Sequence, residues 1–301
     1  MSLLIRPRSL FVAPGLLLAL LCGCQASLPA LPAWQSPVGL EQAELGRIIE
    51  LRTGAVLTPA QLVERLAKAP RVLVGERHDN PDQHALQLWL LRALATRRAQ
   101  GSLLLEMLNP DQQARVDRLR AAIAAGQSPR DLLGELAWQR GWAWSLYGPL
   151  LQYALRQPYP VLAANLDRAE IGRIYSQAPA LAGLAAAEPV RAALLAQIRQ
   201  SHCNLLPESQ LPAMLVVQQQ RDRRMAEAML AAPEPSLLLA GAFHVRRDLG
   251  VPLHLADLGA AAGTQVLLLA ELGESVDGYA ADYLWYTPAQ PAQDHCAKLR
   301  P

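Results

Sequence analysis

The chain has 301 residues, 51% of them hydrophobic and 18% charged, which marks a folded globular protein and excludes a disordered one. Two of its 28 Lys and Arg residues, Arg6 and Arg8, precede the first acid, Glu41. The rest equal the 26 Asp and Glu residues, and no Lys/Arg block offers a phosphate-tracking surface, which argues against nucleic acid as a partner.

Arg6 and Arg8 form a basic n-region ahead of the apolar run Leu10 to Leu21, which is too short for a comfortable permanent membrane span. Leu21-Cys22-Gly23-Cys24 then resembles a bacterial lipobox, with small Gly23 before the acceptor Cys24. The reading is a lipoprotein signal peptide over 1–23 and a lipid anchor on Cys24. An ordinary secretory signal cut near Ala26 is the alternative. Gln25 carries no inner-membrane retention signal, so the expected location is the outer membrane, facing the periplasm. Three acyl chains would hold the protein firmly, each buried CH₂ contributing roughly 0.8 kcal/mol. Residues 24–40 are rich in Pro and Ala and read as a tether to a folded domain over 41–301.

Ile48 to Leu51 reads as a short edge strand. Thr58-Pro59 starts a helix whose apolar face is Leu62, Val63 and Leu66, and Pro70 ends it. Val72 to Val74 is a buried strand running into Gly75-Glu76-Arg77-His78. A helix over Pro81 to Ala99 leads to a strand at Leu103 to Leu105, which ends at Glu106. Asp111 to Ala125 is helical, and Ser128-Pro129 opens another helix through Leu136. Trp138, Trp142, Trp144, Tyr147 and Tyr153 cluster in a chain otherwise poor in aromatics. Pro160 to Ala164 is a strand ending at Asn165. Helices follow over Arg168 to Ser176, Val190 to Gln200 and Leu211 to Leu230. Leu237 to Ala240 is a strand that repeats the earlier pattern, running into Gly241-Ala242-Phe243-His244. Val266 to Ala270 and Tyr283 to Tyr286 read as further strands.

Short strands, apolar on both faces and separated by helices, predict an α/β fold. It has a mostly parallel sheet with helices on both faces, plus a smaller helical subdomain. The ends of such strands share one edge, where open α/β sheets build their sites. Glu76, His78, Glu106, Asn165 and His244 would meet there, with His84 and Arg246 close by. Glu76, His78, Glu106 and His244 could hold a divalent metal or act as acid and base without one; an anionic ligand is the third possibility, and none is assigned a catalytic role outright. The aromatic cluster is either core or a site for a flat hydrophobic ligand, and tyrosine is a known axial ligand of haem. With export, the lone pair Cys203 and Cys296 reads as a disulfide, two free thiols being the alternative.

Several stretches resemble the ChaN family of bacterial haem-binding lipoproteins, part of a superfamily with Tiki and TraB proteins and erythromycin esterases. They are Gly75-Glu76-Arg77-His78-Asp79-Asn80-Pro81 with His84, Leu104 to Met107, Ala163 to Leu166, His202 to Asp222, Gly241 to Pro252, and Asp282 to Thr287 with Cys296. The resemblance implies a lipid-anchored haem-binding protein in haem or iron acquisition, working as a homodimer with tyrosine on the iron. Tyr147 and Tyr153 are the candidate ligands, beside a ligand-binding set of His78, His84, Asn165, His244 and Arg246. Phe243 stands where smaller residues are usual and would narrow the site mouth. Binding without turnover is the preferred reading. The Tiki resemblance implies the alternative, a metal-dependent hydrolase using Glu76, His78, Glu106 and His244.

Overall fold

The computed structural model describes residues 27–294, 296 and 297. The expected signal peptide and Cys24 lie outside them. From the N-terminus run β1 (Ile48–Glu50), β2 (Ala55–Leu57), α1 (Pro59–Leu66), β3 (Arg71–Glu76), α2 (Pro81–Ala95) and β4 (Ser102–Leu105). Then come α3 (Gln113–Ala124), α4 (Leu132–Leu136), α5 (Trp144–Ala154), β5 (Val161–Ala163) and α6 (Arg168–Gln177). The chain continues through α7 (Glu188–Ser201), α8 (Leu211–Ala231), β6 (Ser236–Gly241), α9 (Ala242–Val245), α10 (Val251–Asp257), β7 (Thr264–Glu271) and β8 (Tyr283–Thr287).

The strands form one sheet in the order β2-β1-β8-β7-β3-β6-β4-β5. From β8 to β5 every pairing is parallel, as expected. At the other edge β1 and β2 form an antiparallel hairpin that the sequence did not announce. Ala55-Val56-Leu57 is too short for a visible alternation, and Val56 is exposed.

Alternation along each strand splits the core into two layers. Val72, Val74, Leu103, Leu105, Leu237 and Leu239 pack with α1, α2, α3 and α5. Leu73, Leu104, Leu238, Ala240, Val266 and Leu268 pack on the other side, with Met225 and Met229 of α8 and Leu255 of α10. A separate small cluster of Leu194, Ile198, Leu211, Leu215 and Leu249 holds α7 to the start of α8 and makes the helical subdomain. Cys203, just past α7, is disulfide-bonded to Cys296 with Cα atoms 5.7 Å apart.

Three local expectations change. The helix expected from Ser128-Pro129 starts at Leu132, because the Asp131 carboxylate accepts from Gly134 N–H and caps it there. The helix after Pro81 stops at Ala95 rather than Ala99. Over 27–40 the expected tether lies docked on the domain: Leu28 and Trp34 pack on the core, and Trp89 Nε1–H donates to the Pro29 carbonyl at 2.9 Å. The N–H groups of Gln35 and Ser36 donate to the buried Asp82 carboxylate. Among the described residues no helix is long and apolar enough to cross a membrane.

Candidate functional site

The site grows from the C-terminal ends of β3, β6 and β4, adjacent strands of the sheet. β3 delivers Glu76 as its last residue and β6 delivers Gly241, paired with it in register. Glu106 directly follows β4. Two glycines make the close approach possible. A Cβ on Gly75 would lie 2.4 Å from Val245 Cγ2 and 2.9 Å from Ala242 Cα, so α9 can sit directly on β3. A Cβ on Gly241 would lie 2.8 Å from His78 Cε1 and 3.6 Å from Glu106 Oε2, so bare backbone here lets the two halves of the site meet.

In the first half Glu76, 1% exposed, organises three side chains. His78 Nδ1 donates to Glu76 Oε1 at 2.7 Å, and the Tyr147 hydroxyl donates to the same oxygen at 3.1 Å. His84 Nε2 donates to the His78 carbonyl at 3.1 Å, and its ring meets Tyr147 edge to face. Trp142 packs edge-on against His78 and Tyr147. Asn80 caps α2 by accepting from Asp82 and Gln83 N–H, which fixes the loop that carries His78. Burial opposes the His78 imidazolium, but the bond to Glu76 and the negative charge of Glu76 and Glu106 hold its pKa above the ordinary value. Burial, then Glu76, pushes the Tyr147 phenol far above the usual tyrosine range.

In the second half His244 lies between two buried carboxylates. Its Nδ1 meets Asp222 Oδ1 at 2.5 Å and its Nε2 meets Glu106 Oε1 at 3.3 Å. Glu106 Oε2 also accepts from Gly241 N–H at 2.7 Å. Burial disfavours charge on all three groups. The two carboxylates nevertheless lift His244 to about 10, and His244 draws Glu106 down to about 2. Asp222 is raised to about 6, first by burial and also by Glu106, because one imidazolium cannot fully compensate two carboxylates.

Asp222 is the residue that sequence reading missed as part of the site. Its signal was present in α8: a carboxylate interrupts the buried row Leu215, Asp222, Met225, Met229 at helical spacing. Of the expected residues, Glu76, His78, His84, Tyr147, Glu106 and His244 come together. Asn165 is beside them but is committed to backbone, donating to the Glu106 carbonyl and accepting from Leu166 N–H. Arg246 is paired with Asp248, and Tyr153 is half-buried beneath the Arg92 guanidinium. His254 is buried in α10, and burial depresses its pKa to about 4, in keeping with a structural histidine.

The expected metal centre on Glu76, His78, Glu106 and His244 is not supported. Among the described residues no group of three or more His, Cys, Asp or Glu is placed to hold a metal ion. The oxygens nearest the histidines are already engaged, while buried Glu76 Oε2 has no hydrogen-bond partner among the described residues. Glu76 spends Oε1 on His78 and Tyr147, and Glu106 spends its oxygens on Gly241 and His244, so the four donors do not converge on one point. The arrangement instead fixes charges and leaves His78, with a 46% exposed side chain, able to exchange a proton or hydrogen-bond an anion from its outer edge.

The family model described as haem-binding uptake, Tiki superfamily, ChaN, matches residues 62–255, which span both halves of this site. The chain belongs to the ChaN family. A solved structure of a ChaN protein, that of Campylobacter jejuni with cofacially bound haem, superimposes with a TM-score of 0.74 at 28% identity. It covers 84% of this chain and 98% of its own. More distant folds include the RRSP toxin effector domain of Vibrio vulnificus (TM-score 0.44, 15% identity, 80% of this chain and 39% of its own). Another is an erythromycin esterase (TM-score 0.44, 13% identity, 83% of this chain and 84% of its own). No curated protein matches the chain. ChaN membership agrees with the resemblance read from the Gly-Glu-x-His and His-Val-Arg-Arg-Asp stretches.

Proposed function

We propose that this protein binds haem in haem or iron acquisition, as a lipid-anchored homodimer. The observation that carries the reading is the ChaN match over 62–255 together with the similarity to a ChaN protein that holds haem cofacially. The donor chemistry is suitable. Haem supplies an iron with open axial positions, which a phenolate oxygen or an imidazole nitrogen can fill as donor. The surface offers Tyr279, 85% exposed, the half-exposed His78 ring, and the apolar side chains of Val56 and Phe243. The expected ligands are harder to use. Tyr147 has its hydroxyl buried against Glu76, and Tyr153 is half-buried in α5. The buried pairs of the strand-end site would serve as scaffold for the face that meets haem. The hydrolase alternative is not favoured, since the donor geometry it needs is not present among the described residues.

Titration of the full-length chain in detergent with haemin tests the reading. It predicts a saturable Soret band displaced from that of free haemin, with sedimentation showing a dimer at saturation. A spectrum that remains the sum of haemin and protein would remove it. The leader supports anchoring at Cys24 in the outer membrane, facing the periplasm. Labelled palmitate is expected in the wild-type chain and absent from Cys24→Ser; equal labelling of both would refute that site.

A further inference from the structure

We infer that the end of the domain opposite the candidate site rests on an anionic phospholipid surface, through a basic rim made by the C-terminal ends of α1, α2, α3 and α5; this rests on the reading of Cys24 as a lipid anchor. The docked N-terminal segment sets the distance. Leu28 packs on the core, and the Pro29 carbonyl accepts from Trp89 Nε1–H. The N–H groups of Gln35 and Ser36 reach the Asp82 carboxylate, and Val38 bridges to Ala289. Cys24 stands four residues before Leu28, and four residues span at most about 14 Å when fully extended. A Cys24 held by acyl chains at the bilayer therefore keeps the domain against the headgroups.

The same segment sets the orientation. It meets Trp89 first and Asp82 last, so it runs antiparallel to α2. α2 follows β3 and starts at the site edge, so it ends at the edge where the parallel strands begin. Followed back toward Cys24, the described segment heads for that far edge. The reach of about 14 Å exceeds the roughly 9 Å that α2 still runs from Trp89 to Ala95. The site edge, with His78 on its loop, then points away from the bilayer.

Four helices end at the far edge. α1 leads into β3 and α5 into β5, while α2 and α3 come down from the site edge. Arg98 joins the ends of α1 and α2 by donating to the Ala69 carbonyl. Arg120 of α3 donates to the carbonyls of Gln157 and Tyr159, just past α5. Residues 62–70, 88–100, 117–126 and 147–158 hold eight Lys and Arg against two acids, Glu64 and Asp117. Glu64 is paired with Arg97. Part of the positive charge answers the carbonyl ends of the helices, yet Lys68, Arg92, Arg118 and Arg156 remain exposed. Between the ends of α3 and α5 lies an open cleft of about 740 Å³, lined by Arg120 and Arg156 with Asp117, Ile123 and Leu155. It has room for a phospholipid headgroup, with arginine for the phosphate and apolar side chains beside it. Clustered Lys and Arg next to a membrane anchor draw a protein onto an anionic surface.

The lipid-carrying full-length protein is reconstituted in vesicles of phosphatidylcholine alone, or of phosphatidylcholine and phosphatidylglycerol in equal parts. A donor fluorophore is placed at Ala99→Cys, exposed just past α2, or at Glu274→Cys, exposed just past β7 at the site edge. Headgroup-labelled lipid is the acceptor. With phosphatidylglycerol, energy transfer is expected to be severalfold stronger from Ala99→Cys than from Glu274→Cys. Phosphatidylcholine alone, high salt, or the combined changes Lys68→Glu, Arg118→Glu and Arg156→Glu should reduce that preference. Equal transfer from the two positions, or more from Glu274→Cys, overturns the orientation. A preference unchanged by lipid charge and by the three substitutions overturns the headgroup contact, since the tether alone would then orient the domain. Self-association of the haem-free protein in detergent that the three substitutions abolish would make the rim a contact between copies and overturns it as well. Mass spectrometry of the Cys24 peptide keeps the two readings apart: absence of lipid there removes the anchor itself, whereas lipid present with the wrong transfer pattern removes the rim contact alone.

Discussion

His244→Ala is expected to destabilise the fold by about 3–5 kcal/mol at pH 7, because it strands two buried carboxylates without a cation. Glu106 and Asp222 are both almost inaccessible to solvent, and each is bonded to the imidazole. Without it, Glu106 keeps only the Gly241 N–H, and Asp222 loses the bond to its Oδ1. The pH dependence identifies the cause. In the wild type, His244 has a folded pKa of about 10 against an ordinary 6.5. Its contribution is full below about 6.5 and is lost as pH rises through about 10. Glu106, lowered to about 2 from 4.5, contributes above 4.5 and loses that contribution as pH falls through about 2. Asp222, raised to about 6 from 3.8, works the other way and weighs against the fold as it ionises. Urea midpoints should therefore fall on the alkaline side in the wild type. In His244→Ala the deficit should shrink as pH drops toward 4, where the stranded carboxylates take up protons. A deficit independent of pH between 4 and 9 would mean that the loss is one of packing.

Reduction of Cys203–Cys296 is the second large effect expected. The bridge closes a segment of 93 residues, and chain entropy for a loop of that size sets a ceiling near 4–5 kcal/mol, with about 2–4 kcal/mol typical of measured bridges. The loop runs from the end of α7 through α8 and the last strands, so it joins the helical subdomain to the C-terminal tail. Cys203→Ser should lower the urea midpoint as much as dithiothreitol lowers that of the wild type, and dithiothreitol should then do nothing more to the variant. If Cys203→Ser matches the oxidised wild type, the bridge contributes nothing to stability. A disulfide of this kind persists in an oxidising compartment.

Much of this was legible from local pattern. Val72 to Val74 and Leu237 to Ala240 are uninterrupted apolar runs, and each is followed by Gly-x-x-His. The structure sets them side by side and in register. Other features depend on distant partners. Asp222 is not singled out by its sequence neighbours, since Arg221, Arg223 and Arg224 surround it. Only the position of His244 across the layer shows why a carboxylate is buried there. Asn165 was read as a site residue, yet its amide closes the loop backbone after β4 and β5. The aromatic cluster contained the central tyrosine of the buried network, but clustering along the chain cannot show whether a hydroxyl faces inward.

The central proposal is that this chain binds haem; the similar Campylobacter jejuni ChaN structure holds haem cofacially. Circular dichroism in the Soret region, recorded through a haemin titration of the full-length protein, tests it most directly. Two haems held cofacially couple their transitions, so the account predicts an induced signal with two lobes of opposite sign that saturates with added haemin. A single-signed band would mean haem bound without its pair. No induced Soret signal at any haemin concentration would contradict the account.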